Sequence, residues 1–231
     1  MYELIIANKN YSSWSMRPWV LMRELGIAFR ETLLPFHLNH GAGDFKRFTP
    51  SGRVPCLVDG DTRVWDSLAI SEYLAERHPS VWPADVKTRA WARSAAAEMH
   101  SGFTALRNDC SMSVGIRLRL HRVGPGLETD LARLDSLWSE GLAQHGGPFL
   151  AGPAFTAVDA FFAPVATRIQ TYGLTMPAAS AAYVQRLLDV PAVKEWIAAG
   201  EAETFRDAGH EDEILAQGAL LEDRRAAEQR T

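Results

Sequence analysis

The pattern of apolar residues changes near residue 80 of this 231-residue chain. Before that point, short apolar runs alternate with helical periodicity; after a proline-containing stretch at 78–88, only helical patterns follow. The change predicts an α/β domain over residues 1–80 and an all-α domain over residues 88–215. The remaining segment, 216–231, is small, polar and mixed in charge, and we expect it to fray.

The first domain reads as a βαβ unit followed by a hairpin and a closing helix. Apolar runs flanked by turn residues predict the strands, and Gly26 is expected to stop the first helix. The predicted elements are a strand at 2–7, a helix at 19–25, a strand at 29–36, a hairpin at 53–67 that turns at Gly60 and Asp61, and a helix at 68–78.

Charge and composition exclude several classes of function. The net charge of −4 comes with no basic stripe, so we expect no nucleic-acid partner. The N-terminus has no basic leader and no apolar stretch approaches the ~20 residues of a membrane span, so we expect no membrane partner. Cys56 and Cys110 lie far apart without metal-ligand spacing, which favours a reducing, cytoplasmic compartment and no metal.

The stretch "NYSSWSMRPW" at 10–19 places three serines just ahead of a helix. Pro18 is tolerated only in a first turn, so the helix is expected to begin near Trp14 or Ser15. Ser12 and Ser13 then lie where free N–H groups and the helix dipole favour an anion, and could lower the pKa of a bound thiol by roughly one to three units. The alternative is that these serines only cap the helix.

A second group of polar residues surrounds the predicted hairpin. If the Val54–Pro55 bond were cis, the backbone of Val54 would be free to pair with a peptide-like ligand; the alternative is a trans proline opening a strand. Asp66 and Ser67 stand where the hairpin meets the next helix. Together they suit the ammonium and carboxylate of an amino acid, or alternatively serve as a simple N-cap.

These features occurring together resemble the glutathione transferase family. "YSSWSMRPW" is similar to the serine motif of the zeta-like (maleylacetoacetate isomerase) and related bacterial branches, and "VPCL" and "DS" follow in the order that the family shows. "FTAVDAFFAPV" resembles the family's capping box, with Thr156 and Asp159 as the paired residues.

The resemblance implies a thioredoxin-like N-terminal domain, an all-α C-terminal domain and a homodimer. Glutathione would be the co-substrate, with its thiolate facing Ser12 or Ser13. Its cysteinyl backbone would pair with Val54 beside a cis Pro55. Its γ-glutamyl end would meet Asp66 and Ser67.

The second substrate, an electrophilic small molecule, is expected to bind against the helical domain. The helical spacing predicts that Met99, Phe103 and Arg107 share one face there; they would either line that pocket or belong to the core. Trp14 would narrow the mouth of the pocket. The remaining candidates are basic residues: Arg107 or Arg168 for an acidic substrate, and His40, Lys46 or Arg53 for the glycine carboxylate of glutathione.

The predicted function is therefore a glutathione S-transferase acting in detoxification. Two alternatives remain. One is a glutathione-dependent cis–trans isomerase, although Trp14 stands where the isomerase branch typically has cysteine. The other is a non-catalytic binding or regulatory protein, which would not need Ser12, Val54–Pro55 and Asp66–Ser67 together. Cys56, entering a strand, is expected to be buried and inert.

Overall fold

The computed structural model describes residues 1–36 and 45–227, and its N-terminal part is a four-stranded sheet flanked by two helices. The strands run in the order β2-β1-β3-β4, with β1 parallel to β2 and antiparallel to β3. This confirms the predicted thioredoxin-like arrangement. The elements are β1 (Tyr2–Ile6), α1 (Ser13–Glu24), β2 (Phe29–Leu33), β3 (Cys56–Asp59), β4 (Thr62–Trp65) and α2 (Ser67–Ala75).

The most apolar segments of this half form the two central strands of the sheet, where both faces are covered. Strands β1 and β3 are neighbours, and Leu4 pairs with Leu57 with both side chains fully buried. The hairpin turns at Gly60, whose φ of 58° favours a residue without a Cβ. Cys56 opens β3 and is buried, as expected.

The second part is mainly helical. Its centre is α6 (Ala157–Tyr172), in which every residue except Gln170 is buried. A helix buried on all sides is the core around which the others pack. The surrounding helices are α3 (Val86–Ser101), α4 (Thr104–Asp109), α5 (Pro125–His145), α7 (Ala178–Asp189), α8 (Pro191–Glu201) and α9 (Ala208–Leu215). Within the described residues, no helix is both long and apolar enough to cross a membrane.

The expectation of an exclusively helical second half with a frayed tail is wrong in one respect. Strand β5 (Ile116–Leu120) pairs antiparallel with β6 (Gly218–Asp223), which belongs to the segment predicted to fray. Ile116 and Leu118 are buried. Strand β5 also contacts α6. Arg225, just beyond β6, forms ion pairs with Glu211 and Asp223 at 2.5 and 2.7 Å.

The start of α1 also differs from the expectation. The helix begins at Ser13, so Pro18 stands in the second turn. Since proline has no N–H, it cannot donate to the carbonyl of Trp14 one turn earlier. The helix ends at Glu24, and Gly26 follows with a φ of 66°, as the predicted stop requires.

The capping box at the start of α6 is present. The carboxylate of Asp159 accepts hydrogen bonds from the N–H groups of Leu150 and Thr156, both at 3.0 Å, and from the hydroxyl of Tyr183 at 2.9 Å. The Thr156 hydroxyl adds a fourth bond at 3.3 Å. Burial nevertheless raises the pKa of Asp159 to about 6.

We predict that Asp159→Ala lowers the free energy of unfolding by about 3 kcal/mol or more at pH 7. Each buried donor left without an acceptor costs about 1–3 kcal/mol. Urea denaturation measures the change. Tyr183→Phe is the matched control, since it removes one donor, and it should cost only about 1 kcal/mol. Equal losses in the two variants would contradict the role assigned to Asp159.

Candidate active site

The loop between β1 and α1 is held by the second domain. Glu203 accepts hydrogen bonds from the N–H groups of Lys9 and Asn10, at 2.6 and 3.2 Å. The indole of Trp196 donates to the carbonyl of Lys9 at 2.9 Å. The side-chain oxygen of Asn10 accepts from the N–H of Gly115 at 3.0 Å. These bonds fix the serines that follow at the junction of the two domains.

Ser12 stands immediately before α1, but its side chain makes no capping hydrogen bond. Its hydroxyl instead donates to that of Ser15 at 2.7 Å, and Ser15 also accepts from the N–H of Ala7 at 3.3 Å. The interpretation of Ser12 as a simple side-chain cap is therefore not supported. The Ser12 hydroxyl lies at the positive end of α1, where rotation about its C–O bond would redirect its proton to a bound acceptor.

Ser13 is held by an arginine of α6. Nη2 of Arg168 donates to the Ser13 hydroxyl at 3.2 Å, and Nη1 donates to the carbonyl of Cys110. Burial, reinforced by the charge of Arg107, lowers the pKa of Arg168 to about 10. Because Ser13 accepts this bond, its own proton is free for another acceptor.

Arg17, which the sequence analysis did not single out, is almost fully buried under the serines. Its guanidinium stacks on Trp14 at 4.2 Å and on Phe161 at 4.8 Å, and donates to the hydroxyl of Ser67 at 3.3 Å. Among the described residues, its Nε has no hydrogen-bond partner. Burial and the charges of two other arginines lower its pKa well below the usual range.

Asp66 and Ser67 occupy the start of α2. Asp66 has a φ of 76°, and its Oδ1 caps the helix by accepting from the N–H of Leu68 at 2.8 Å. Its other oxygen lies 3.4 Å from Nε2 of His100. The capping interpretation is thus correct for Asp66, and one carboxylate oxygen remains for a second partner.

Two adjacent cavities meet at Trp14, Arg53 and Val54, and the Val54–Pro55 bond beside them is cis. The first, which we call the tripeptide cavity, has a volume of about 490 Å³ and is also lined by Ser51, Pro55, Trp65, Asp66 and Ser67. The second, the acceptor cavity, has a volume of about 350 Å³. Its further lining residues are Tyr11, Ser12, Ser13, Phe36, Phe45, Gly52, Ser111, Met112, Arg168, His210 and Glu213.

The three candidates for the electrophile pocket lie elsewhere. Met99 and Phe103 are buried in the core and line neither cavity. Arg107 stacks on Trp14 at 4.8 Å and turns back to the end of α3, where its Nε donates to the carbonyl of Gly102 at 2.9 Å. These side chains satisfy packing and a helix terminus. Lys46 lines neither cavity, and His40 lies outside the described residues.

The sequence analysis missed the part of the acceptor cavity that comes from α9. His210 and Glu213 of that helix face Ser12 and Ser13 across the cavity. The sequence around α9 contains no motif that places His210 or Glu213 at the site. Their position depends on long-range packing of this helix against the rest of the protein.

Comparison with known proteins gives a consistent result. The family model described as glutathione S-transferase, N-terminal domain, matches residues 11–77, and that for the C-terminal domain matches residues 117–199. A probable maleylacetoacetate isomerase of Caenorhabditis elegans is 30% identical over 174 residues, covering 71% of this chain and 77% of that protein. A zeta-class glutathione S-transferase of Euphorbia esula is 28% identical over 159 residues, covering 66% and 70%.

Solved structures share the fold. A glutathione transferase homolog from Burkholderia with bound glutathione superposes with a TM-score of 0.65 at 24% identity, covering 86% of this chain and 97% of that one. A theta-class enzyme from Xanthomonas axonopodis, also with bound glutathione, has a TM-score of 0.64 at 22% identity, covering 85% and 96%. Since the two family models together match more than half of the sequence, the chain belongs to the glutathione S-transferase family.

Proposed function

We propose that this protein is a glutathione transferase that activates the thiol of glutathione at Ser12 and adds it to an electrophilic small molecule. The observation that carries the proposal is the position of Ser12 at the N-terminus of α1, in the wall of a cavity between the domains. Its hydroxyl makes no capping hydrogen bond to the helix. The bound glutathione in the similar Burkholderia structure supports the choice of co-substrate.

The serine hydroxyls form a chain that ends at the thiolate position. The N–H of Ala7 donates to Ser15, which also accepts from the Ser12 hydroxyl at 2.7 Å; when a thiolate binds, both hydroxyls would rotate so that Ser15 donates to Ser12. Ser12 would then donate a hydrogen bond to the sulfur while keeping its own proton, and the proton lost by the thiol would pass to solvent. Such a chain polarises each bond in turn, and stabilising the thiolate lowers the pKa of the thiol.

Buried positive charge acts in the same direction. The guanidinium groups of Arg17 and Arg107 lie on Trp14, which lines both cavities, and Arg168 binds Ser13. A thiolate near these cations would gain favourable electrostatic energy, which lowers the pKa of the thiol. The sulfur then attacks the electrophile, whose closeness in the acceptor cavity makes the step effectively unimolecular.

The tripeptide cavity suits the rest of glutathione. Asp66 would bind the ammonium group and Ser67 the carboxylate of the γ-glutamyl end, while the backbone of Val54 would pair with the cysteinyl residue. Arg53 lines both cavities and would meet the glycine carboxylate. His40 remains a sequence-based candidate for the same carboxylate, outside the described residues.

A cis–trans isomerase is the second candidate function, because a probable maleylacetoacetate isomerase is among the relatives. Both reactions need the same thiolate, so the acceptor cavity decides between them. Trp14 is fixed there by two guanidinium groups and by an edge-on contact with His100 at 5.1 Å. Turnover of 1-chloro-2,4-dinitrobenzene without isomerisation of maleylacetoacetate would identify the transferase.

The setting of the protein is also a proposal. Detoxification and a cytoplasmic homodimer would fit the family. Cys56 and Cys110 are free and buried, which suits a compartment where thiols stay reduced. Light scattering would test the dimer.

We predict that Ser12→Ala lowers kcat for 1-chloro-2,4-dinitrobenzene about 10- to 150-fold, because a hydrogen bond to a charged group contributes about 1.5–3 kcal/mol. The KM for glutathione should change little. The ultraviolet absorbance of the bound thiolate should titrate at a higher pH than in the unsubstituted protein. Ser13→Ala is the matched control; if it alone slows transfer and shifts the titration, the activating residue is Ser13.

We predict that Asp66→Asn weakens glutathione binding about tenfold or more, since it removes the charge that pairs with the ammonium group. Asparagine caps helices as well as aspartate does, so α2 should remain intact. Calorimetric titration with glutathione, and with an analogue lacking the amino group, measures the effect. Equal losses of affinity for both ligands would contradict an ammonium contact at Asp66.

A further inference from the structure

The acceptor cavity contains a histidine that the proposed function does not use. Nδ1 of His210 lies 2.6 Å from a carboxylate oxygen of Asp207, which also caps α9 by accepting from the N–H of His210 at 3.2 Å. A carboxylate bound to one ring nitrogen sets the orientation of an imidazole. Asp207 therefore presents the other nitrogen, Nε2, for chemistry.

The imidazole is fixed on two aromatic rings that also belong to the cavity. It stacks on Phe36 with ring centroids 4.7 Å apart and on Tyr11 at 5.1 Å. Tyr11 immediately precedes Ser12, and its hydroxyl donates to Glu211 of α9 at 2.5 Å. The ring is thereby held in the wall of the same cavity that Ser12 lines.

Nε2 of His210 is available to a ligand. No described residue forms a hydrogen bond with it, and 34% of the side chain remains exposed at the cavity. The neighbouring Glu213 is engaged by the hydroxyl of Ser111, and Glu211 is paired with Arg225 at 2.5 Å. Of the α9 side chains at this wall, His210 is the one placed to exchange a proton with a bound acceptor.

We propose, building on the proposed function, that His210 is a general acid for acceptors whose conjugation requires a proton, of which an α,β-unsaturated ketone is an example. The thiolate forms a C–S bond at the β-carbon, and the electrons of the C=C bond move to the carbonyl oxygen to give an enolate. The Nε2–H bond of the imidazolium breaks as its proton passes to the enolate. The neutral imidazole then regains a proton from water, with Asp207 as the positioning residue.

This step distinguishes two kinds of acceptor. An α,β-unsaturated ketone needs a proton to complete the addition, whereas an aryl chloride loses chloride with its electron pair and needs none. General acid catalysis contributes roughly 10²- to 10⁴-fold to a rate. Its loss should therefore appear mainly with the ketone.

The experiment compares kcat for trans-4-phenyl-3-buten-2-one and for 1-chloro-2,4-dinitrobenzene at saturating glutathione. His210→Phe keeps the aromatic stacking, and we expect its kcat to fall about 100-fold more with the ketone than with the chloride. His210→Gln provides the same test with a polar side chain if the phenylalanine variant does not fold. Asp207→Asn keeps the cap of α9, and its kcat should also fall more with the ketone than with the chloride, by a smaller factor than in His210→Phe.

Two controls separate this assignment from the proposed function. His78→Phe replaces another histidine in aromatic contact, with Tyr2, and should leave the ratio of the two rates unchanged. Ser12→Ala should lower both rates together. Equal losses with both acceptors in His210→Phe, or a raised KM for glutathione alone, would overturn the general acid. An unsubstituted protein inactive with both acceptors would overturn the proposed function and this assignment with it.

Discussion

The site depends on the polar backbone of the loop between β1 and α1, which is buried between the domains. Buried N–H and C=O groups must be paired, and this loop finds its partners in Glu203 and Trp196 of the second domain. A loop satisfied from outside cannot move independently of those partners. The positions of Ser12 and Ser13 are therefore properties of the domain junction as much as of the first domain.

The same junction concentrates buried positive charge. Burial lowers the pKa of Arg17, Arg107 and Arg168. The charges of Arg107 and Arg168 lower the pKa of Arg17 further, Arg107 also lowers that of Arg168, and Asp66 partly offsets the effect on Arg17. Shifted pKa values of this kind are common at functional sites, where a bound ligand of opposite charge relieves the repulsion. An anionic sulfur and a carboxylate would relieve this repulsion, which links the electrostatics to the proposed chemistry. The described residues contain no cluster of metal-ligating side chains.

The sequence was sufficient for features set by local chemistry. Apolar runs, the turn at Gly60 and the stop at Gly26 determine β1 to β4 and their helices, and Asp66 and Ser67 fall at a helix start as predicted. Burial of Arg17 was not predictable in this way, because an arginine on a helix is usually solvated, and its partners Phe161 and Ser67 come from distant elements. The alternation of "IRLRL" at 116–120 does indicate a strand, but its partner lies about a hundred residues later.

The tail that was expected to fray has a structural consequence for the acceptor side. Strand β6 pairs with β5, and Arg225 just after it binds Glu211, whose carboxylate also receives the Tyr11 hydroxyl. This network connects the ribbon, α9 and the serine loop. Because α9 is short and its isolated stability is small, its position must come from these contacts rather than from helix propensity. The acceptor cavity is thus completed by a segment that has no apolar periodicity of its own.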